Sequence, residues 1–89
     1  MLDFRDPRGR TASEIAFTLA EALFGPDGDA TKRTFTATDG SWQIGTGNDY
    51  WFYDLGEGNF RLIHRHESAA SDARLRGILT TTIGVRVAD

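Results

Sequence analysis

The clearest hydrophobic pattern near the start of the chain has the period of an α-helix. The apolar positions recur at intervals of four residues and are Ile15, Leu19 and Leu23, with Ala12, Ala16 and Ala20 beside them. Such a stripe is typical of a helix that buries one face against a core. Thr11 and Glu14 have the spacing of a capping box, and Gly25-Pro26 is a helix stop signal. The pattern predicts an amphipathic helix between these signals.

The next stretch, residues 31–44, alternates apolar and polar positions around the Asp-Gly dipeptide at 39–40. This dipeptide is typical of two-residue hairpin turns. Counting outward from such a turn places Phe35 opposite Ile44, on the same face as Ala37 and Trp42. Threonine and other polar residues fill the opposite face, so the pattern predicts a β-hairpin with one buried side and one solvent-facing side.

A second hairpin is predicted over residues 50–66, with residues 56–59 as a four-residue loop. Counting outward from that loop separates the side chains into two sets. The inner set is Trp51, Tyr53, Leu55, Phe60, Leu62 and His64. The outer set is Tyr50, Phe52, Asp54, Arg61, Ile63 and Arg65. This register places Asp54 opposite Arg61 and Phe52 opposite Ile63, which pairs opposite charges and groups apolar residues, and a slip of one residue would destroy both agreements.

The other segments carry weaker signals. Residues 1–10 combine turn residues with alternating charge, which favours an extended lead-in. Residues 67–77 can form a short helix capped by Ser68. After Gly77 the odd positions of residues 79–87 are apolar or β-branched, which predicts a fifth strand with one apolar face.

These elements predict a single α+β domain over residues 11–89. The N-terminal amphipathic helix packs on one face of a four- to five-stranded antiparallel sheet, which is a meander of two hairpins. The short second helix precedes the last strand.

The amino-acid composition limits where in the cell we expect the protein and which kinds of site it can carry. The 89 residues include no cysteine, so packing alone or self-association must hold the fold, without disulfides or thiolate metal sites. No apolar run approaches the roughly 18 residues of a spanning helix, and the start lacks the apolar stretch of a signal peptide. The net charge of −3 disfavours a surface built to hold nucleic-acid phosphates. We expect a cytoplasmic protein without a cofactor, without membrane contact and without direct nucleic-acid contact.

The outer set of the second hairpin is the best candidate for a partner-binding surface. Its apolar members Tyr50, Phe52 and Ile63 lie together, and its charged members surround them, namely Asp54, Arg61 and Arg65. Apolar residues ringed by charge are typical of protein interaction surfaces. The alternative is that the second helix, or the N-terminal segment with Phe4, covers this face.

Other chemistry-bearing residues have weaker support. His64 and His66 share one face of a strand, but a metal would need a third ligand, and the register favours a packed, hydrogen-bonded His64 against Trp51. The carboxylates of predicted turns are typical turn formers and are Asp27, Asp29, Asp39, Asp49, Asp54 and Glu57. Residues 45–47 lack the lysine and serine of a phosphate-binding loop. We therefore predict no metal site, no cofactor site and no catalytic residue.

The sequence favours a non-catalytic protein that binds a protein partner through the outer set. In size, acidity and lack of an active-site set, it is similar to compact inhibitors from phages and mobile elements that block nucleic-acid-handling complexes, in the manner of anti-CRISPR proteins. No residue motif carries this likeness. Two alternatives stay open. A small ribonuclease-like phosphodiesterase would use Glu57, Arg61, Arg65 and His66. A homodimerising module, or a subunit of a larger assembly, would use the outer set itself.

Overall fold

The computed structural model describes residues 1–25, 34–36, 39–45 and 49–88. Several sequence predictions lie outside them. These are the predictions for Asp27, Asp29, Ala37, Thr46 and Gly47 and for the side chain of Phe35.

The fold is an antiparallel sheet with helices packed on one of its faces, so the predicted α+β class is confirmed. The elements in chain order are β1 (Leu2–Arg5), α1 (Ala12–Phe24), β2 (Thr34–Thr36), β3 (Trp42–Ile44), β4 (Tyr50–Gly56), β5 (Asn59–His64), α2 (Ala69–Gly77), a π-helical segment (Ile78–Ile83) and β6 (Arg86–Val87). The strand order is β2-β3-β4-β5-β1-β6. The predicted meander corresponds to β2 through β5, and the second helix precedes the last strand. Among the described residues, no helix is long and apolar enough to cross a membrane.

Helix α1 begins and ends at the predicted signals. The Thr11 hydroxyl accepts a hydrogen bond from the Glu14 amide at 3.2 Å, which satisfies one of the free N–H groups of the first turn. At the other end, Gly25 has a φ of 83° and its amide donates to the Glu21 carbonyl at 2.8 Å. The buried residues of α1 are Ile15, Ala16, Leu19 and Ala20, so the predicted apolar stripe is the face that packs on the sheet.

The predicted lead-in contributes a strand to the interior of the sheet. Leu2–Arg5 forms β1, which pairs with β5 on one side and with β6 on the other. Leu2 and Phe4 are both buried. Two alternating apolar residues before a turn are too short a pattern to predict a strand on their own, and pairing on both sides supplies what local sequence does not.

The predicted second helix is present as α2, and a π-helical segment follows it directly. Ser68 and Ser71 form a reciprocal capping box at its start. The predicted last strand is present only at Arg86–Val87, and its prediction over residues 79–85 is wrong, because the chain continues from α2 as the π-helical segment. Leu75, Leu79 and Ile83 recur at intervals of four and are all buried, which is a helical pattern that the odd-position alternation concealed. The segment ends at Gly84, whose φ of 79° is left-handed.

The register of both hairpins differs from the prediction by one residue. In the second hairpin Phe52 pairs with Leu62 and Tyr50 pairs with His64. The connection is a two-residue turn at Glu57 and Gly58, both with positive φ. Strand β4 has a bulge at Leu55, shortly before this turn. A bulge adds one residue to one strand and so exchanges the faces of every residue beyond it.

In consequence the β5 faces are as predicted, but the β4 faces are exchanged. Across β2 and β3, Thr34 pairs with Ile44 and Phe35 pairs with Gln43, so the predicted Phe35–Ile44 pair is also wrong.

The core lies between the helices and the inner face of the sheet. Three stacked rings form its centre, with centroid separations of 6.0 Å for Phe4–Phe52, 5.6 Å for Phe4–Phe60 and 5.3 Å for Phe52–Phe60. Helix α1 and the π-helical segment contribute buried aliphatic residues to the same cluster. Both helical layers therefore cover one face, and no element among the described residues covers the opposite face of the sheet.

Candidate protein-binding face

The side of the sheet away from the helices carries aromatic, aliphatic and charged side chains in adjacent strands. We call this surface the open face, and its residues are Asp3, Arg5, Gln43, Trp51, Tyr53, Arg61, Ile63 and Arg86. Strand pairing joins them into rows: Trp51 lies between Gln43 and Ile63, and Arg61 lies between Tyr53 and Asp3. All of them are half-buried or exposed, whereas their inward neighbours on β1, β4 and β5 are buried. No described element packs over these residues.

The structure removes two predicted site residues from this surface. Tyr50 is 6% exposed and Phe52 is 0% exposed, and both belong to the core, so their assignment to the open face is wrong. The reason is the bulge at Leu55, which exchanges the faces of β4 relative to a simple count from the loop. Trp51 and Tyr53 occupy the open face in their place.

The predicted site residues of β5 lie on the open face, but two charged residues of the predicted site lie beside it. Arg61 and Ile63 lie on the open face as predicted. Asp54 is exposed at the turn end of β4, opposite Phe60, where its carboxylate accepts a hydrogen bond from the Gly56 amide at 2.9 Å. Arg65 is exposed just beyond β5, and its amide donates to the Asp49 carbonyl at 2.9 Å. The predicted Asp54–Arg61 pair is therefore wrong.

Arg61 is held by an acidic partner that the sequence did not indicate. Its guanidinium donates to both carboxylate oxygens of Asp3, from Nε to Oδ1 at 2.7 Å and from Nη2 to Oδ2 at 3.0 Å. The hydrogen bond and the charge of Arg61 lower the pKa of the Asp3 carboxyl, and Asp3 raises the pKa of Arg61 in return. A fork held at two points has little freedom, so Arg61 presents a fixed orientation beside Tyr53.

Two further arginines lie at the end of the open face. Arg5 and Arg86 are directly opposite each other on β1 and β6, and both are exposed. Neither makes an ion pair with a residue that the structure describes. The open face thus carries three arginines against the single carboxylate of Asp3, although the net charge of the chain is −3.

The histidines lie away from the arginines of the open face. His64 is on the inner side of β5, where its ring stacks on Tyr50 with centroids 4.6 Å apart, so its predicted contact with Trp51 is wrong. Its Nδ1 atom is buried and has no hydrogen-bond partner in the described part of the chain. His66 is exposed, at 6.2 Å from His64 between ring centroids. Over the same residues, no group of three His, Asp or Glu side chains has the geometry of a metal site.

The four residues of the ribonuclease alternative do not converge. Glu57 lies in the turn before β5, and His66 lies beyond the far end of that strand. A strand of six residues is roughly 20 Å long, which is too far for an acid and a base to act on one phosphodiester. In addition, Arg61 is on the open face and is bound to Asp3.

This geometry defines the chain as a small α+β protein with one helix-covered and one open sheet face. No family model, no curated protein and no solved structure matches it.

Proposed function

We propose that this protein acts by binding a protein partner through the open face, without catalysis. The observation that carries the proposal is the contiguous group of Trp51, Tyr53 and Ile63 on a side of the sheet that no described element covers. Trp51 is the cross-strand neighbour of Ile63, and Tyr53 is the cross-strand neighbour of Arg61. Tryptophan, tyrosine and arginine are the residues most enriched at the energetic centres of protein interfaces.

The open face is also prepared for binding by its rigidity. Its aromatic residues lie on paired strands, and the Asp3 carboxylate holds the Arg61 guanidinium at two points. Groups that are already ordered lose less conformational freedom on association. A partner would therefore meet a surface whose central side chains need little rearrangement.

The carboxylate of Asp3 favours a protein over a nucleic acid as the partner. Its side chain is 41% exposed and lies between the aromatic residues and the arginine pair. A phosphate backbone crossing the face would approach this negative charge, and the chain as a whole is acidic. A protein can place a donor there instead. We also predict, from size and acidity alone, that the partner belongs to a nucleic-acid-handling complex. The protein would inhibit this complex, as an anti-CRISPR protein does.

The test is affinity capture of host proteins by the full chain, compared between matched variants. Trp51→Asp and Tyr53→Asp place a charge in the open face, and Ala73→Asp places the same charge on an exposed position of α2. We expect a protein captured by the unmodified chain and by Ala73→Asp, with binding reduced at least tenfold by either open-face variant. Circular dichroism checks that all variants fold.

Three results would contradict the proposal. The first is equal capture by all variants, which would place binding elsewhere. The second is loss of capture after nuclease treatment, which would identify a nucleic acid as the ligand. The third is a homodimer in light scattering that Trp51→Asp dissociates and Ala73→Asp does not, which would make a second copy of the chain the occupant of the face.

A further inference from the structure

A groove of about 470 Å³ lies at the end of the open face, where β1, β5 and β6 meet the turn end of β4. Its apolar lining includes Leu55, Phe60 and Val87, and its charged lining is Asp3, Arg5 and Arg86. The groove is continuous with the open face, because Arg5 and Arg86 belong to both. It is thus a mainly apolar depression whose charged residues are two arginines and Asp3, the latter already bound to Arg61.

The arginine pair has an electrostatic cost that nothing else in the described fold offsets. Like charges directly opposite each other in an antiparallel pair destabilise the sheet. The single carboxylate of the open face, Asp3, already accepts hydrogen bonds from Arg61 with both of its oxygens. Arg5 and Arg86 are therefore two cations facing each other without an anion among the described residues. An anion bound between them would relieve their repulsion.

The apolar part of the groove indicates a ligand that carries an apolar group as well as a negative charge. Leu55 is the bulged residue of β4 and is 49% exposed. Its exposure next to the arginines leaves an apolar surface that an aliphatic side chain would cover. The rings of Phe4 and Phe60 are buried, so the groove itself offers no flat aromatic surface for stacking a nucleotide base.

We infer that this groove binds an acidic segment of the protein partner, in which a carboxylate lies beside an aliphatic side chain. The carboxylate bridges Arg5 and Arg86, and the aliphatic side chain packs against Leu55. The inference rests on the proposed function, since it adds the chemistry of the partner at one end of the open face.

The test is a titration of the isotopically labelled full chain with a short synthetic peptide, followed by two-dimensional NMR. The probe is the acetylated and amidated peptide Gly-Glu-Leu-Glu-Gly, and its control is the same peptide with glutamine for glutamate. We expect saturable shifts at the amides of Arg5, Asn59 and Arg86 with the acidic peptide, and at least fivefold weaker binding of the glutamine peptide.

Matched variants connect these shifts to the arginine pair. We expect the affinity for the acidic peptide to fall at least fivefold in each of the variants Arg5→Gln, Arg86→Gln and Leu55→Ser. The control Arg74→Gln, at an exposed position of α2, should leave this affinity unchanged. Arg86→Gln removes one of two opposed charges, so its midpoint of thermal unfolding should be equal to or above that of the unmodified chain. That result would show that its lost binding is not lost folding.

The inference is overturned if the groove amides do not shift at millimolar peptide, or if the glutamine peptide binds equally well. It is also overturned if oligothymidylate or inorganic phosphate saturates the same amides and the acidic peptide does not. The capture experiment separates the two proposals. Loss of the partner with Trp51→Asp but not with Arg5→Gln or Arg86→Gln leaves the proposed function standing and removes the groove from it.

Discussion

At the scale of single residues, Asp6 fastens the segment between β1 and α1 to the rest of the fold. Its side chain is buried and accepts hydrogen bonds from the amides of Arg8 at 3.1 Å and Arg10 at 2.7 Å. The Arg10 guanidinium also donates to both Asp6 oxygens at 3.2 Å, and to the Ile83 carbonyl at 2.8 Å. One carboxylate therefore links the N-terminal segment, through Arg10, to the end of the π-helical segment.

Acid should weaken the fold through Asp6. Burial alone would raise the pKa of its carboxyl, but the hydrogen bonds from Arg10 and Arg8 and the charge of Arg10 together outweigh burial and lower the pKa. A carboxyl whose pKa is lower in the folded state stabilises the fold above its unfolded value of about 3.9, and this contribution disappears as pH falls through the folded pKa. Urea denaturation at pH 7, 5 and 3 should show that loss.

The variant Asp6→Asn should cost about 2 to 3 kcal/mol at pH 7, because it removes charged hydrogen bonds and leaves the charge of Arg10 without its carboxylate partner. Its loss of stability between pH 5 and pH 3 should be smaller than that of the unmodified chain. Asp54→Asn, at an exposed carboxylate, serves as the control. An undiminished acid transition in Asp6→Asn would show that other groups cause it.

The neighbouring aromatics Phe52 and Trp51 should respond in opposite ways to substitution. Phe52→Ala should lower the free energy of unfolding by about 3 to 5 kcal/mol, since the ring is fully buried at the centre of the phenylalanine stack. Trp51→Ala should cost about 1 kcal/mol, since only part of the indole is removed from water. In a binding assay the order should reverse, with Trp51→Ala the more damaging. Similar stability losses for both variants would contradict the assignment of faces.

At the scale of elements, the turn between β4 and β5 determines which side chains reach the open face. Glu57 has a φ of 57°, in the left-handed region that disfavours a side chain such as glutamate. Glu57→Asn should therefore stabilise the protein by about 0.5 to 1 kcal/mol, because asparagine tolerates this conformation in two-residue hairpin turns. Thermal unfolding measures the change.

The matched control for the turn is Glu57→Gln, which removes the charge but keeps the unfavourable backbone conformation. It should leave the midpoint of unfolding nearly unchanged. A gain of the same size with glutamine would attribute the effect to charge, and no gain with asparagine would show that the turn is not strained at this residue.

The elements also show which parts of the fold the sequence could predict. Helix α1 was predictable because its apolar stripe, its cap and its stop signal agree. The faces of β5 were predictable for Arg61 and Ile63, because their alternation has no interruption. The faces of β4 were not, because a bulge such as that at Leu55 changes the count without changing the alternation. The candidate site was therefore only half predicted, with Trp51 and Tyr53 assigned to the wrong side.

The predictions for the C-terminal segment and for β1 failed for other reasons. Leu79 and Ile83 satisfy both an alternating and a four-residue spacing, so burial against α1 decides between strand and helix. In β1 the local pattern is too short to predict a strand, and pairing with β5 and β6 creates it. Both are cases in which tertiary contacts override local sequence.

At the scale of the whole molecule, the sheet brings the two ends of the described chain together. Strand β1 lies between β5 and β6, and the Ala88 amide donates to the Asp3 carbonyl at 2.8 Å. Phe4 belongs to the same ring stack as Phe52 and Phe60. The N-terminal strand is thus part of the cooperative core, and we expect the fold to lose it only by global unfolding.

Hydrogen exchange can test this cooperativity. Phe4→Ala should lower the free energy of unfolding by about 3 to 5 kcal/mol, and the slowest-exchanging amides of β4 and β5 should lose the same amount of protection as those of β1. The control Leu55→Ala, at an exposed apolar position, should leave these amides nearly unchanged. If β1 lost its protection while β4 and β5 kept theirs, the N-terminal strand would unfold separately from the rest of the sheet. The part of the open face at Asp3 and Arg5 would then move with β1. Arg5 and Arg86 would face each other only while β1 is paired with the sheet, since β1 supplies Arg5.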